Sequence, residues 1–130
     1  MIFENLILKN LNFNENDRLK LPPEKTNIDP RKLRDYLLNP AHPEGATKAE
    51  YLNEIGYNQE NYHILEVDLR NQYLICDVQP GKVSIYGVKY EIVAPLVGPN
   101  GKKRLFRYVW MIRKRETYAR LITLIPEKKL

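Results

Sequence analysis

Hydrophobic positions recur at helical spacing through the first half of the chain, and this pattern predicts three helices. The first covers about residues 30–38 and begins at Asp29-Pro30, because aspartate caps helix starts and proline fits the first turn. The second covers about residues 46–55, and Gly56 follows it where a helix-ending glycine is expected. Residues 59–75 are predicted to be helical, although their β-branched side chains would suit a strand as well.

From about Ser84 onward the periodicity changes to the alternation of β-strands. Residues 98–101, Gly-Pro-Asn-Gly, predict a tight turn between two antiparallel strands. A strand over Leu105–Ile112 follows, then a second hairpin tip at Arg113–Glu116 and a last strand over Tyr118–Ile125. One face of the strand at 105–112 is formed by Phe106, Tyr108, Trp110 and Ile112.

The order of these elements predicts a single α+β domain, in which N-terminal helices pack on a C-terminal twisted antiparallel β-sheet. A chain of 130 residues is close to the commonest domain size and is too short for two cores. Leu21-Pro22-Pro23 interrupts regular structure, so residues 1–28 are expected to form an N-terminal arm that lies across the body. The domain itself is then expected to comprise residues 29–130.

The net charge of +5 is unevenly distributed along the chain. Residues 102–130 contain ten Lys and Arg against two Asp and Glu, whereas residues 1–101 contain eleven against fourteen. A basic surface confined to one part of a small domain attracts polyanions, so the predicted sheet is a candidate nucleic-acid surface. The alternative is a solvated cationic face that only keeps the protein soluble.

Several classes of protein are excluded by what the sequence lacks. No apolar run is long enough to span a membrane, and the first residues lack the basic flank and apolar stretch of a signal peptide. The single cysteine, Cys76, cannot form an internal disulfide, which suits a reducing, cytoplasmic location. Two histidines and one cysteine provide no zinc-ligand spacing, so neither a metal nor another cofactor is expected.

The segment from His42 to Lys48 carries the clearest candidate chemistry. His42 lies in a loop that Pro40 and Pro43 constrain, and Lys48 lies in the first turn of the second helix. A lysine there is opposed by the helix dipole, which suggests a role other than stability. An imidazole that moves a proton and an ammonium that stabilises phosphate charge can together cleave RNA without metal. The alternative is that His42 hydrogen-bonds its own loop while Lys48 is solvated.

Side chains of the predicted sheet supply candidates for RNA binding. Tyr86, Tyr90 and Tyr108 could stack on bases, although alternating aromatics in strands often fill a core instead. Arg107 could clamp a phosphate, or it could pair with a carboxylate such as Glu91. The remaining RNA-binding candidates are Lys103, Arg104 and Thr123.

The sequence Lys32–Ala49 resembles the opening of a family of small bacterial domains that also occur as toxin modules of contact-dependent inhibition proteins. The family opening reads K-L-x-x-Y-x-L-N-P-x-H-P-x-G-x-x-K-A. A Y-G-x-x-Y strand, an N-G turn and an R-x-x-W strand follow it, and this chain shows them in that order at Tyr86–Tyr90, Asn100-Gly101 and Arg107–Trp110. The resemblance covers about residues 30–126.

The resemblance implies a fold like that of the barnase–EndoU–colicin–RelE group of ribonucleases, in which N-terminal helices pack on a curved antiparallel sheet. These enzymes cleave RNA, often tRNA, without a metal ion. By position, the resemblance makes His42 and Lys48 the leading catalytic candidates and Arg107 a phosphate binder. Toxin relatives often carry a threonine where this chain has Tyr108. The Tyr108 phenol can still donate a hydrogen bond there, or Thr123 on the last strand could supply the hydroxyl instead.

The residues and the resemblance together predict a metal-independent endoribonuclease that acts on tRNA or another RNA as the toxin of a toxin–antitoxin pair. The chain begins at a methionine and shows no translocation module, so a free-standing cytoplasmic protein is expected. Its second expected partner is a small acidic antitoxin or immunity protein that covers the basic sheet. The alternatives are a non-catalytic RNA-binding module and a protein-interaction module on the same fold, and the oligomeric state stays open.

Overall fold

A computed structural model describes residues 19–20, 26–73 and 77–127 of the chain. These residues form short helical segments and extended strands, and the first and last helical segments have the wider turns of a π-helix. The helical segments are α1 (Lys32–Leu37), α2 (Ala46–Glu54), α3 (Tyr62–Asp68) and α4 (Leu69–Tyr73), which continues α3 directly. The strands are β1 (Leu19–Lys20), β2 (Thr26–Asn27), β3 (Asp77–Ser84), β4 (Gly87–Val97), β5 (Lys103–Arg113) and β6 (Ala119–Pro126).

The six strands form one sheet in the order β1-β3-β4-β5-β6-β2. Strands β3 to β6 are an antiparallel meander, and β4 and β5 stay in register along their whole length. The outer strands are short: β1 pairs antiparallel with β3, and β2 pairs parallel with β6. Two short pieces of the chain that precedes α1 therefore lie along the two edges of the meander.

An apolar core lies between the helices and one face of the sheet. The side-chain row predicted at 105–112 forms its centre, because Phe106, Tyr108, Trp110 and Ile112 are all fully buried. Truncation of a buried aromatic of this kind costs about 3–5 kcal/mol, so this row is a large part of what orders the sheet. Other fully buried members of the core are Leu33, Leu37, Leu52, Leu65, Leu69 and Leu124.

A β-bulge interrupts the alternation of β6. The pairing of β5 with β6 shifts between Val109 and Trp110, which leaves Ile122 as an extra residue on β6. A bulge bends its strand and re-aims the side chains beside it. Leu121 is therefore buried on the core side, while Ile122 and Thr123 line a groove at the surface.

The helix-start and helix-end signals of the sequence have visible physical roles. Asp29 Oδ1 accepts the backbone N–H of Arg31 at 2.9 Å, which satisfies a donor at the first turn of α1. Gly56 follows α2 with a φ of +106°, in the left-handed region that favours glycine. A Cβ atom at Gly56 would lie 2.9 Å from the backbone nitrogen of Asn100, so this helix end also contacts the β4–β5 turn closely.

The structure has the predicted α+β class, with helices from the first half of the chain and a meander from the second. Within the segment 59–75, residues 62–73 are helical rather than extended, residues 59–61 form a bend and a turn, and residues 74–75 lie outside the described residues. The sequence pattern does not predict β3, because Pro80 and Gly81 within it are unfavourable in a strand interior. No helix in the described ranges is both long and apolar enough to cross a bilayer.

Glu116, at the β5–β6 turn, forms a bidentate contact with Arg120. The guanidinium donates from Nε to Oε1 at 3.0 Å and from Nη2 to Oε2 at 2.7 Å. This contact, with smaller help from Tyr118 and Arg113, outweighs the effect of burial and lowers the pKa of Glu116 from 4.5 to about 2. A carboxylate with a lowered pKa stabilises the fold above its unfolded-state pKa, and that stabilisation is lost as the pH falls through the folded-state value.

We expect Glu116→Gln to lower the free energy of unfolding by about 1–2 kcal/mol at neutral pH, because the variant loses the charge-assisted contact with Arg120. The difference from wild type should shrink as the pH falls from 4.5 toward about 2. Denaturant unfolding of both proteins, at neutral pH and at the acid end of this window, measures the effect. An equal difference at both pH values would contradict the contribution assigned to this ion pair.

Candidate active site

The loop that carries His42 joins α1 to α2 and is held by backbone hydrogen bonds. The His42 N–H donates to the carbonyl of Asn39 at 3.1 Å, and the His42 carbonyl accepts the N–H of Ala46 at 3.0 Å. The ring nitrogen Nδ1 accepts the backbone N–H groups of Glu44 and Gly45, both at 3.0 Å. The loop therefore fixes both the position and the orientation of the imidazole.

Gly45 brings this loop into direct contact with the backbone of α1. A Cβ atom added at Gly45 would lie 1.9 Å from the carbonyl oxygen of Tyr36, a clash that no side-chain rotation can relieve. The φ of Gly45 is −87°, which other residues adopt readily, so the position requires glycine for close approach rather than for conformational freedom. Gly45 thus sets how closely the His42 loop approaches Tyr36.

Tyr36 lies where the His42 loop, α2 and β6 meet α1. Its hydroxyl accepts a hydrogen bond from Lys48 Nζ of α2 and lies 3.3 Å from Thr123 Oγ1 of β6. The His42 ring meets the Tyr36 ring edge-on, with the two centroids 4.9 Å apart and the planes at 77°. Tyr36, His42, Lys48 and Thr123 together are called the Tyr36 cluster below.

The surroundings of the Tyr36 hydroxyl favour loss of its proton. Burial raises the pKa of this phenol, but the hydrogen bonds with Lys48 and Thr123 and the positive charge of Lys48 together outweigh burial. The negative charge of Glu44 opposes them only in part. The pKa of Tyr36 therefore lies below the ordinary tyrosine value of 10.0.

A surface groove of about 610 Å³ opens over Tyr36 and His42. Lys32 Nζ lies 5.8 Å from the centroid of the Tyr36 ring, and Lys48 Nζ lies 4.8 Å from it. Neither lysine forms an ion pair with a carboxylate of the described residues. Lys32 lines the groove, and with the Lys48 ammonium beside the same ring it makes the groove a candidate site for a phosphate. Its other lining residues include Asp29, Arg31, Glu44, Ile122 and Thr123.

The structure brings the candidate pair His42 and Lys48 together with Thr123, which the sequence analysis names separately. His42 and Lys48 both contact Tyr36, and Thr123 approaches the same hydroxyl from β6. His42 does hydrogen-bond its own loop, as the structural alternative expects, but the Lys48 ammonium contacts the Tyr36 phenol rather than only solvent. This contact gives a physical reason for a lysine in the first turn of α2, where the helix dipole opposes it.

The sequence analysis names neither Tyr36 nor Lys32 as a site residue. The signal for Tyr36 is the hydroxyl itself, because a half-buried phenol requires a polar partner whereas leucine or phenylalanine does not. Lys32 lies four residues before Tyr36, a spacing that puts the two side chains on one face of a helix. Both residues belong to the opening motif, so they were available as candidates.

Arg107 lies on the sheet face opposite the core row, since it alternates with buried residues of β5. Its Nε donates to Glu127 Oε1 at 3.0 Å, and its Nη1 lies 3.6 Å from Glu91 Oε2. Among the described residues, no hydrogen bond or ion pair connects Arg107 to the Tyr36 cluster. The carboxylate pairing expected as the alternative is therefore present, and phosphate binding by Arg107 stays a prediction that requires these ion pairs to open.

The tyrosines predicted to stack on bases differ in exposure. Tyr90 and Tyr108 are fully buried in the core, and the Tyr108 hydroxyl donates to the carbonyl of Ala94 at 3.3 Å. Stacking requires an exposed ring face, so the structure supports the core alternative for both residues and corrects their assignment to RNA binding. Tyr86, at the β3–β4 turn, is 70% exposed and stays a candidate.

The basic residues of the sheet are not spread over one continuous face. Arg104 packs over the Tyr51 ring of α2, with its guanidinium carbon 4.0 Å from the centroid, and its Nη1 lies 3.5 Å from Glu54. Exposed cations of β5 and its flanking turns lie at residues 102–103 and 113–115, at opposite ends of the strand. Lys103 therefore stays accessible to RNA, whereas Arg104 already contacts Tyr51 and Glu54.

Within the described ranges, no group of three or more His, Cys, Asp or Glu is placed to hold a metal ion.

Gly45→Ala is expected to push the His42 loop away from α1, because the added Cβ clashes with the Tyr36 carbonyl. We expect a loss of about 1–3 kcal/mol in the free energy of unfolding and a shift of the His42 ring signals in NMR spectra. Gly101→Ala is a matched control, since its Cβ meets no atom within 4 Å and only its φ of +84° opposes alanine. Unchanged His42 signals in Gly45→Ala would contradict the role given to this glycine.

Comparison with known proteins places the fold and the family. A chain of the "Contact-dependent growth inhibition toxin - immunity protein complex from Klebsiella pneumoniae 342" aligns with a TM-score of 0.54 and 19% identity, over 77% of this chain and 98% of that chain. At this identity the similarity concerns the fold. No curated protein matches the sequence significantly. Residues 18–128 match the family described as "Domain of unknown function (DUF6883)", and the chain therefore belongs to that family.

Proposed function

We propose that this protein is a metal-independent endoribonuclease that acts on tRNA or another RNA in the cytoplasm, as the toxin of a toxin–antitoxin pair. The observation that carries the proposal is the Tyr36 cluster, where a phenol, an imidazole, an ammonium and a hydroxyl meet beside one groove. Groups of these types can move protons and stabilise phosphate charge without a metal ion.

RNA supplies its own nucleophile for this reaction. The ribose 2′-hydroxyl attacks the adjacent phosphorus, the bond from phosphorus to the 5′-oxygen breaks, and the products carry a 2′,3′-cyclic phosphate and a 5′-hydroxyl. The protein must then provide a proton acceptor for the 2′-hydroxyl and positive charge for the phosphate oxygens. Lys32, which lines the groove, and Lys48, whose ammonium lies beside the Tyr36 ring, would provide that charge.

The role as a toxin rests on the similarity of fold. The Klebsiella structure is a complex of a toxin with an immunity protein. For this chain we propose a comparable small acidic partner, either an antitoxin or an immunity protein. The exposed cations at the two ends of β5, residues 102–103 and 113–115, are the groups that such a partner would neutralise.

A non-catalytic RNA-binding module on the same fold is the second candidate. The observation that favours it is that His42 Nδ1 accepts two backbone N–H groups of its own loop. These hydrogen bonds suffice to explain a histidine at this position. Such a module would bind RNA with a steep dependence on salt concentration and would leave it intact. The two candidates differ in whether substitutions in the Tyr36 cluster change cleavage or only binding.

Incubation of the purified protein with total tRNA in EDTA tests the proposed function. Wild type should give discrete fragments that end in cyclic phosphate. We expect His42→Ala and Lys48→Ala each to slow cleavage by about 10²- to 10⁴-fold, since each removes a group from the site. His63→Ala is the matched control, because His63 is exposed on α3 and contacts Tyr62 rather than the groove.

Equal cleavage by wild type and His42→Ala would show that the reaction does not use this site. Absence of cleavage for tRNA and for ribosomal RNA, with salt-dependent binding retained, would favour the binding module instead. Loss of activity in His63→Ala as well would indicate a general effect on the fold rather than a specific one on the site.

A further inference from the structure

The hydrogen bonds of His42 restrict which proton the imidazole can carry. Nδ1 accepts two backbone N–H groups, from Glu44 and Gly45, each at 3.0 Å, so this nitrogen presents its lone pair and not a hydrogen. A neutral ring with a bare Nδ1 carries its hydrogen on Nε2. Among the described residues, none forms a hydrogen bond with Nε2. In this arrangement His42 presents an N–H donor at Nε2 and has no free lone pair with which to accept a proton.

The Tyr36 hydroxyl has the complementary arrangement. Lys48 Nζ donates to it and can stabilise a negative phenolate oxygen. Thr123 Oγ1 lies 3.3 Å away and becomes a second donor when its hydrogen turns from the Leu124 carbonyl, to which it donates at 3.3 Å. Tyr36 is partly exposed and lines the groove together with His42. A ligand in the groove therefore lies against Tyr36, whose hydroxyl oxygen is surrounded by groups that favour its deprotonated form.

We propose that Tyr36, as a phenolate held by Lys48 and Thr123, accepts the proton of the ribose 2′-hydroxyl, while His42 donates its Nε2–H to a phosphate oxygen. This assignment rests on the proposed ribonuclease function. Sequence reasoning gives proton transfer to His42, whereas here Tyr36 accepts the proton and His42 donates a hydrogen bond. Lys48 is then a positioning residue for Tyr36 as well as a source of positive charge near the phosphate.

The step is balanced in protons and bonds. The 2′-hydroxyl proton moves to the Tyr36 oxygen as the 2′-oxygen bonds to phosphorus and the bond from phosphorus to the 5′-oxygen breaks. The leaving 5′-oxygen takes a proton from water. The Tyr36 phenol then returns its proton to solvent, so the residue is regenerated and the net reaction is transesterification of RNA.

The charges around Tyr36 define the expected pH dependence. The rate should rise with pH until Tyr36 is deprotonated, because only the phenolate accepts a proton. Lys48 favours the phenolate and lowers the pKa of Tyr36, so removal of this charge should move the rising limb of the profile to higher pH. The charged or titratable groups that face Tyr36 or line its groove are Lys32 of α1, Lys48 of α2, His42 and Glu44 of the loop, and Asp29 and Arg31 before α1; β6 contributes the neutral Thr123.

Tyr36→Phe tests the assignment most directly, because it removes the hydroxyl and keeps the ring. We expect kcat for tRNA cleavage in EDTA to fall by about 10²- to 10⁴-fold with KM little changed. Tyr62→Phe, which removes a hydroxyl from α3 but keeps the ring contacts with Arg34 and His63, should cleave like wild type. An unchanged kcat in Tyr36→Phe would overturn the proposal.

The pH profile of Lys48 variants separates positioning from simple loss of charge. In Lys48→Met the rising limb should move to higher pH, whereas in Lys48→Arg, which keeps a charged donor, it should stay nearer to that of wild type. A rising limb that stays at the wild-type pH in Lys48→Met would contradict the proposed partnership. Ultraviolet absorbance reports phenolate formation without RNA. The pH titration of wild type minus that of Tyr36→Phe gives the pKa of Tyr36 independently of activity.

Two conservative substitutions of His42 separate its two nitrogens. His42→Gln can place an amide N–H near the position of Nε2, whereas His42→Asn can place an acceptor oxygen near Nδ1 and offers no donor at Nε2. We expect His42→Gln to retain a larger share of kcat than His42→Asn. A higher kcat in His42→Asn than in His42→Gln, or a His42→Gln variant as inactive as His42→Ala, would indicate that His42 itself transfers the proton.

Failure of the proposed function and failure of this assignment give different results. If wild type does not cleave any RNA offered, the ribonuclease proposal fails, although the phenolate titration still reports on Tyr36. If wild type cleaves RNA and Tyr36→Phe cleaves it equally well, the ribonuclease proposal holds and the assignment to Tyr36 is wrong.

Discussion

The hydroxyl of Tyr36 is the polar contact on which the candidate site depends. A half-buried phenol between a helix and a sheet loses stability unless its oxygen finds a polar partner. Here that requirement is met by Lys48 of α2 and Thr123 of β6, so one side chain joins three elements. Because the Lys48 donor is a cation, the same contact also lowers the pKa of the Tyr36 hydroxyl.

Two backbone features make that contact geometrically available. Gly45 lets the His42 loop approach the Tyr36 carbonyl more closely than any other residue could, and it also donates to His42 Nδ1. On the sheet side, the bulge at Ile122 breaks the alternation of β6 and leaves Thr123 in the groove rather than in a regular row. The absence of a side chain at Gly45 and the extra residue Ile122 on β6 thus both shape the surroundings of Tyr36.

The charge distribution acquires a different meaning once side-chain contacts are known. Arg104, Arg107 and Arg120 of the sheet are each paired with glutamate, so three of the ten cations in residues 102–130 are neutralised within the molecule. Lys32 at the groove and the cations at the ends of β5 keep their charge available to a ligand. The fold is shared with a toxin–immunity complex at low identity, so chemistry has to be argued from these local contacts and not from the fold.

The sequence by itself determined the local features of this protein. Periodicity, the Asp29-Pro30 start, Gly56 and the Asn100-Gly101 turn identify the helices and the β-hairpin, because each depends on neighbours only a few residues apart. The motif likewise identifies His42 and Lys48 as a candidate pair. Tertiary structure alone decided that Thr123 approaches Tyr36 from 87 residues away, that Tyr90 and Tyr108 are buried, and that Arg107 is held by glutamates. These outcomes depend on strand register, on the bulge and on which face each strand presents to the helices, and none of these is encoded by local spacing.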